Sequence, residues 1–143
     1  MIMGVGVDIV DIARFEKSIE RTPSLPERLF TEPERTRPIQ SLAGYFAAKE
    51  ALIKALAGSG GMNWHEVVVV HSDEGAPSFE LTGKALARMQ TKGVSALHLS
   101  ITHDAGVALA VVIAEGGIAG LAPGTVEDVM SKVTAAVEKG GHE

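Results

Sequence analysis

The run Phe46-Ala47-Ala48-Lys49-Glu50-Ala51-Leu52-Ile53-Lys54 is helical by its apolar spacing, and it carries a carboxylate on its apolar side. Leu42, Phe46, Ile53 and Ala57 fall on one stripe of such a helix. At about 100° per residue, Glu50 lies within roughly 40° of Phe46, on the same stripe. An ionised carboxylate buried without a partner is costly, so a compensating cation is expected. Lys49 and Lys54 flank it, and Lys54 stands at i+4 in the favourable orientation for an ion pair. Two explanations stay open. Glu50 is a lysine-paired, half-exposed helix residue, or it is a metal ligand that needs a second carboxylate from elsewhere in the chain.

Outward from this run, the helix is expected from about Ile39 to Ala57, after a break at Pro38 and before the stop at Gly58, Gly60 and Gly61. Ile2–Ile9 alternates and is rich in β-branched residues, which predicts a strand. Asp11 can cap a helix with Ile12, Phe15 and Ile19 on one side, ending before Pro23. Ser24–Phe30 reads as a short helical turn, and Thr31 with Glu34 as a capping box. Glu66–His71 and Ser78–Leu81 read as strands around the turn at residues 73–77. Thr82 caps a helix to about Lys92, closed by Gly93. Leu97–Thr102 and Val107–Ala114 form a hairpin, with His103-Asp104-Ala105-Gly106 as its turn. This order predicts an α+β single domain with an antiparallel sheet packed on a long helix. The domain is expected over residues 1–115. Residues 116–143 follow as a linker, Gly116–Gly124, and an amphipathic C-terminal helix, Thr125–Lys139, with Val126, Val129, Met130, Val133 and Val137 on one face.

The 143 residues suit one domain with a modest core, and 45% apolar with 22% charged residues is ordinary for a globular protein. The absence of cysteine excludes a disulfide framework and a thiolate metal site, and fits a reducing, cytoplasmic setting. No signal peptide or membrane-spanning run is legible, so no membrane partner is expected. A net charge of −5 argues against general nucleic-acid binding. A local basic patch at Arg14, Lys17, Arg21 and Arg28 remains available to an acidic partner, or is a solvated helix face.

Asp8, near the end of the first strand in Gly4-Val5-Gly6-Val7-Asp8, is the natural second carboxylate. Its neighbouring glycines let another group approach the backbone closely. Two carboxylates completed by water and substrate phosphates suit magnesium. Asp11 is the helix cap rather than a ligand. Lys49 and Lys54 would suit a diphosphate beside that metal. Ser100, Thr102 and His103 form a second polar cluster that could hold a phosphate, or could be plain turn chemistry. A Ser-His-Asp hydrolase is a poor reading, because the nucleophile has no glycine elbow. The other histidines lack zinc-like spacing.

These residues together resemble the holo-acyl-carrier-protein synthases, the small single-domain kind of 4′-phosphopantetheinyl transferase. Gly6–Phe15 is similar to that family's opening G-[VI]-D-[IVL]-x-x-I-x-R, and Phe30–Glu34 to its F-T-x-x-E. Phe46–Lys54 matches [WF]-x-x-K-E-[AS]-x-x-K at every specified position, and Leu99–His103 is similar to [LV]-S-[IL]-[ST]-H. The resemblance implies the phosphopantetheinyl transferase fold and a homotrimer with active sites between subunits. It implies Mg²⁺-dependent transfer of phosphopantetheine from coenzyme A to a serine of apo-acyl carrier protein, in support of fatty-acid synthesis. Adenosine 3′,5′-bisphosphate is the other product. It assigns the metal to Asp8 and Glu50, with Glu50 or a metal-bound water as base. Lys54 would neutralise the diphosphate, and Lys49 would contact phosphate or the neighbouring site. Gly75, Pro77, Ser100, Thr102 and His103 join the coenzyme A contacts. Arg14, helped by Lys17 and Arg21, would face the carrier protein. Tyr45 and Ala76 stand where the family commonly has Arg and Lys, so two cations are lost. The same chemistry on a carrier domain built into a type I fatty-acid synthase is the closest alternative. A non-catalytic coenzyme A- or carrier-binding module would be expected to lack Asp8, Glu50 or Lys54. A small structural protein would show no metal-dependent activity.

Overall fold

The computed structural model describes residues 1–117; residues 118–143, with most of the expected linker and all of the expected amphipathic helix, lie outside the described residues. Along the chain run β1 (Ile2–Asp11), α1 (Ile12–Arg21), α2 (Leu25–Leu29), α3 (Glu32–Arg35), α4 (Ile39–Ala55), β2 (Val67–His71), β3 (Pro77–Leu81), α5 (Gly83–Thr91), β4 (Val94–Asp104) and β5 (Val107–Gly116). A 3₁₀ turn at Trp64–Glu66 takes the place of the expected start of β2. The architecture is α+β. β1, β5 and β4 form one antiparallel sheet in that order, and β2 pairs with β3 in a separate hairpin.

The three-stranded sheet lies on α4, and small residues let it lie close. A Cβ added to Gly6 would stand 1.8 Å from the Ala51 carbonyl oxygen, and one added to Gly4 would stand 1.9 Å from that of Ala55. No side chain fits at either position, so β1 runs directly over the helix backbone. Ala108, Ala110, Val112 and Ala114 of β5 present the same face, all fully buried. On α4 the answering residues are Ala47, Ala48, Ala51 and Leu52, also fully buried. This corrects the expected stripe. Phe46, Glu50 and Ile53 are only half-buried, and Ala57 lies beyond the helix end with a positive φ of 53°. The alanine-rich side carries the contact, because a strand of glycine and alanine needs small partners.

Local signals place the ends of the elements. The Arg14 amide donates to Asp11 Oδ1 at 2.9 Å, so Asp11 caps α1 as expected. The Thr31 amide donates to Glu34 Oε1 at 2.9 Å, completing the capping box. The β4–β5 hairpin turns on Ala105 and Gly106, both with positive φ (50° and 79°), the pattern of a two-residue primed turn. His103 and Asp104 are therefore strand residues, not turn residues.

Among the described residues, nothing covers the sheet's second face. Ile2, Val5, Val7 and Ile9 of β1 are 50–61% exposed. Register sets Val5 beside Ile113, Val7 beside Val111 and Ile9 beside Leu109, which widens the apolar surface across β5. No helix among the described residues is long and apolar enough to cross a membrane.

Candidate active site

Three elements converge at the C-terminal end of β1. Asp8 points to the helix side of the sheet, α4 supplies Glu50 and Lys54, and α1 crosses above them with Arg14, Ser18 and Arg21. Asp8, Asp11, Arg14, Arg21 and Glu50 line one open groove of about 390 Å³, with Phe15 and Phe46 as its apolar wall. The two rings stack with centroids 5.5 Å apart, and Phe46 also meets Trp64 at 5.7 Å, so the wall is braced from behind.

The groove is electrostatically divided. Lys54 Nζ donates to Asp8 Oδ1 at 3.0 Å and to the Val7 carbonyl at 2.8 Å. The expected i+4 pair with Glu50 is thus replaced by a tertiary pair with Asp8, because β1 passes within reach of the same ammonium. The Glu50 carboxyl is held above the usual carboxylate range, first by partial burial and then by the negative charge of Asp8; Lys54 offsets part of this. Among the described residues no group of three or more histidine, cysteine, aspartate or glutamate side chains gathers into a metal site. Asp8 and Glu50 are the pair able to hold a hard cation, with the remaining ligands from solvent or substrate.

Lys49 is the clearest correction. Its side chain is fully buried, and its ammonium donates to the Leu29 carbonyl at 2.7 Å, Glu34 Oε1 at 2.9 Å and the Trp64 carbonyl at 3.3 Å. A lysine so enclosed is committed to these three oxygens and does not line the Asp8–Glu50 groove. Burial pushes its pKa down, and the Glu34 carboxylate opposes that shift. Glu34 in turn accepts from the Val69 amide at 3.1 Å, so the pair ties α2, α3, α4 and β2 together. Sequence reasoning reads Glu34 only as a capping residue. The available signal is a lysine one position before a half-buried glutamate, itself in need of a carboxylate.

The other expected contacts are dispersed. Arg14, Lys17 and Arg21 share one face of α1; the two arginines line the groove and Lys17 stays exposed outside it. Gly75 and Pro77 belong to the β2–β3 hairpin and do not line the groove. Tyr45 is buried, with its hydroxyl 3.5 Å from His71 Nδ1. Ser100 and Thr102 sit on β4, two strands from β1, on the sheet's open face opposite Asp8. His103 faces the helix side and lines a different cavity of about 430 Å³, with Ile12, Glu16 and Gln40. Within one chain, then, Asp8, Glu50, Lys54, Arg14 and Arg21 come together, and Ser100, Thr102 and His103 do not join them.

Known proteins share much of this sequence and its fold. Residues 4–112 match the family model of the 4′-phosphopantetheinyl transferase superfamily. A holo-[acyl-carrier-protein] synthase of Clavibacter michiganensis is 53% identical over 116 residues, covering 81% of this chain and 98% of that protein. The crystal structure of holo-[acyl-carrier-protein] synthase from Neisseria meningitidis superposes with a TM-score of 0.74 at 29% identity, covering 80% of this chain and 99% of that one. The Helicobacter pylori holo-[acyl-carrier-protein] synthase in complex with coenzyme A gives a TM-score of 0.69 at 36% identity, covering 78% and 99%. With its motifs, its fold and nearly the full length of such relatives in common, the chain belongs to the 4′-phosphopantetheinyl transferase superfamily, among its holo-acyl-carrier-protein synthases.

Proposed function

We propose that this chain transfers the 4′-phosphopantetheine arm of coenzyme A to a serine of apo-acyl carrier protein. The observation that carries this reading is the Asp8–Glu50 pair beside Lys54, in a groove flanked by Arg14 and Arg21. The serine oxygen forms a bond to the phosphorus next to the pantetheine. The bond from that phosphorus to the oxygen bridging the diphosphate breaks, and adenosine 3′,5′-bisphosphate departs. The serine proton goes to Glu50 or to a water beside it. Glu50 suits the role as a half-buried carboxylate that lines the groove.

Magnesium fits the residues present. Two carboxylates share one groove, and the charge of one disfavours ionisation of the other, a conflict that a dication relieves. Asp8 and Glu50 would hold it, and it would supply charge neutralisation to the diphosphate. The α1 arginines add positive charge along the groove, and Lys54 adds more beside Asp8. Arg14, Lys17 and Arg21 form the docking face for an acidic carrier. Arg14→Ala is expected to raise KM for the carrier about tenfold while KM for coenzyme A changes little, as steady-state kinetics with each substrate varied would show. The reverse pattern would remove Arg14 from the carrier face. Running the assay with a free carrier and with a carrier domain excised from a large synthase separates the two acceptor classes.

The open apolar face of β1 and β5 supports a homotrimer, because an apolar surface of this kind asks for a partner. Ser100 and Thr102 lie on that same face, away from the groove of their own chain. In a trimer they would serve a neighbouring subunit's site. Val7→Asp is expected to give a folded monomer with little transferase activity, measured by sedimentation equilibrium and turnover; a fully active monomer would contradict the shared site. The absence of cysteine suits a cytoplasmic setting.

A further inference from the structure

We propose that Lys54 is a handover residue: it holds the Asp8 carboxylate until a divalent cation arrives, and its ammonium then moves to the diphosphate of coenzyme A. This rests on the assignment of Asp8 and Glu50 as the cation's ligands.

Both of Lys54's hydrogen bonds go to β1, at Asp8 Oδ1 and the Val7 carbonyl. Its side chain is half exposed while that of Asp8 is mostly covered, so the lysine is the partner free to leave. An ammonium 3.0 Å from a carboxylate oxygen competes for that carboxylate with any dication placed on it. The two positive charges also repel when both sit on Asp8. Once displaced, Lys54 keeps its anchor on α4, one helical turn beyond Glu50, and its long stem can sweep the groove. With a cation on Asp8, the Lys54 ammonium would be released and its charge would be available to the substrate. Cation and coenzyme A therefore bind with modest synergy, the cation improving coenzyme A affinity beyond its own contact. An ion pair this exposed is weak, so the restraint on cation binding is only about 2–5-fold.

The sequence offers a clean probe. Val–Asp occurs at two places, Val7-Asp8 and Val10-Asp11. Valine labelled with ¹³C at the carbonyl and aspartate labelled with ¹⁵N therefore report only two peptide units, one under Lys54 and one as an internal control. Mg²⁺ is titrated into the full chain without coenzyme A, in parallel with calorimetry. The expected result is a Val7 carbonyl shift that moves toward its position in metal-free Lys54→Met. Lys54→Met itself should bind Mg²⁺ about 2–5-fold tighter than wild type while its coenzyme A affinity falls. Mg²⁺ binding that Glu50→Gln abolishes, with the Val7 carbonyl unmoved, overturns the handover and leaves the metal assignment standing. No Mg²⁺ binding to either protein, with or without coenzyme A, overturns both.

Discussion

Glu50→Gln should reduce transfer by roughly a thousandfold or more and, without divalent cation, leave the protein at least as stable as wild type. The first half follows from the loss of both a cation ligand and the nearest proton acceptor, each worth several hundredfold in comparable sites. The second follows from electrostatics. Burial, and then the charge of Asp8, raise the Glu50 pKa in the folded protein above its ordinary value. An acid with a raised folded pKa binds its proton more tightly folded than unfolded, so its ionisation subtracts stability as pH rises from the unfolded pKa through the folded one. At neutral pH that cost is fully present, and glutamine removes it. Melting curves of both proteins across this acidic range should show the variant's advantage shrinking as pH falls. A variant that turns over near the wild-type rate would remove Glu50 from the chemistry. A variant much less stable at every pH would make Glu50 a structural residue.

Lys49→Met should be the most destabilising change near the site. It leaves the Glu34 carboxylate, 3% exposed, without its cation. Breaking one side of a buried pair costs about 3–5 kcal/mol, which for a domain of this size lowers Tm by roughly 10–20 °C. Adding Glu34→Gln removes the stranded charge and should recover a large part of the loss, a coupling that a double-mutant cycle measures directly. The outcome decides between two roles for one lysine. An unchanged Tm with a raised KM for coenzyme A would return Lys49 to the phosphate contact implied by the family resemblance. The buried geometry predicts the opposite.

Much of this molecule is written locally. Asp11 has the spacing of a cap and is one; Thr31 and Glu34 form the box their separation announces; Gly93 closes α5 with a positive φ. The Asp8–Glu50 pair is half legible: helix spacing sets Glu50 among apolar residues but also offers it Lys54, and only the fold brings Asp8 into the same groove. What periodicity misreads is α4. A helix with alanines on one side and larger apolar residues on the other has two plausible inward faces, and the glycines of β1 decide between them. That choice buries Lys49 rather than Glu50. Helix spacing likewise pairs Lys54 with Glu50, whereas the nearer competitor, Asp8, arrives from 46 positions earlier in the chain. The Ser100–His103 cluster fails as a single-chain site for a simpler reason. Neighbouring strand residues point to opposite faces, so Ser100 and Thr102 part from His103.

Mass spectrometry of apo-acyl carrier protein incubated with this chain, coenzyme A and Mg²⁺, beside the same mixture with EDTA, reads the reaction most directly. The expected result is a carrier heavier by one phosphopantetheine with Mg²⁺ and unchanged with EDTA. A folded enzyme that leaves both a free carrier and a synthase carrier domain unmodified in the presence of Mg²⁺ would contradict it.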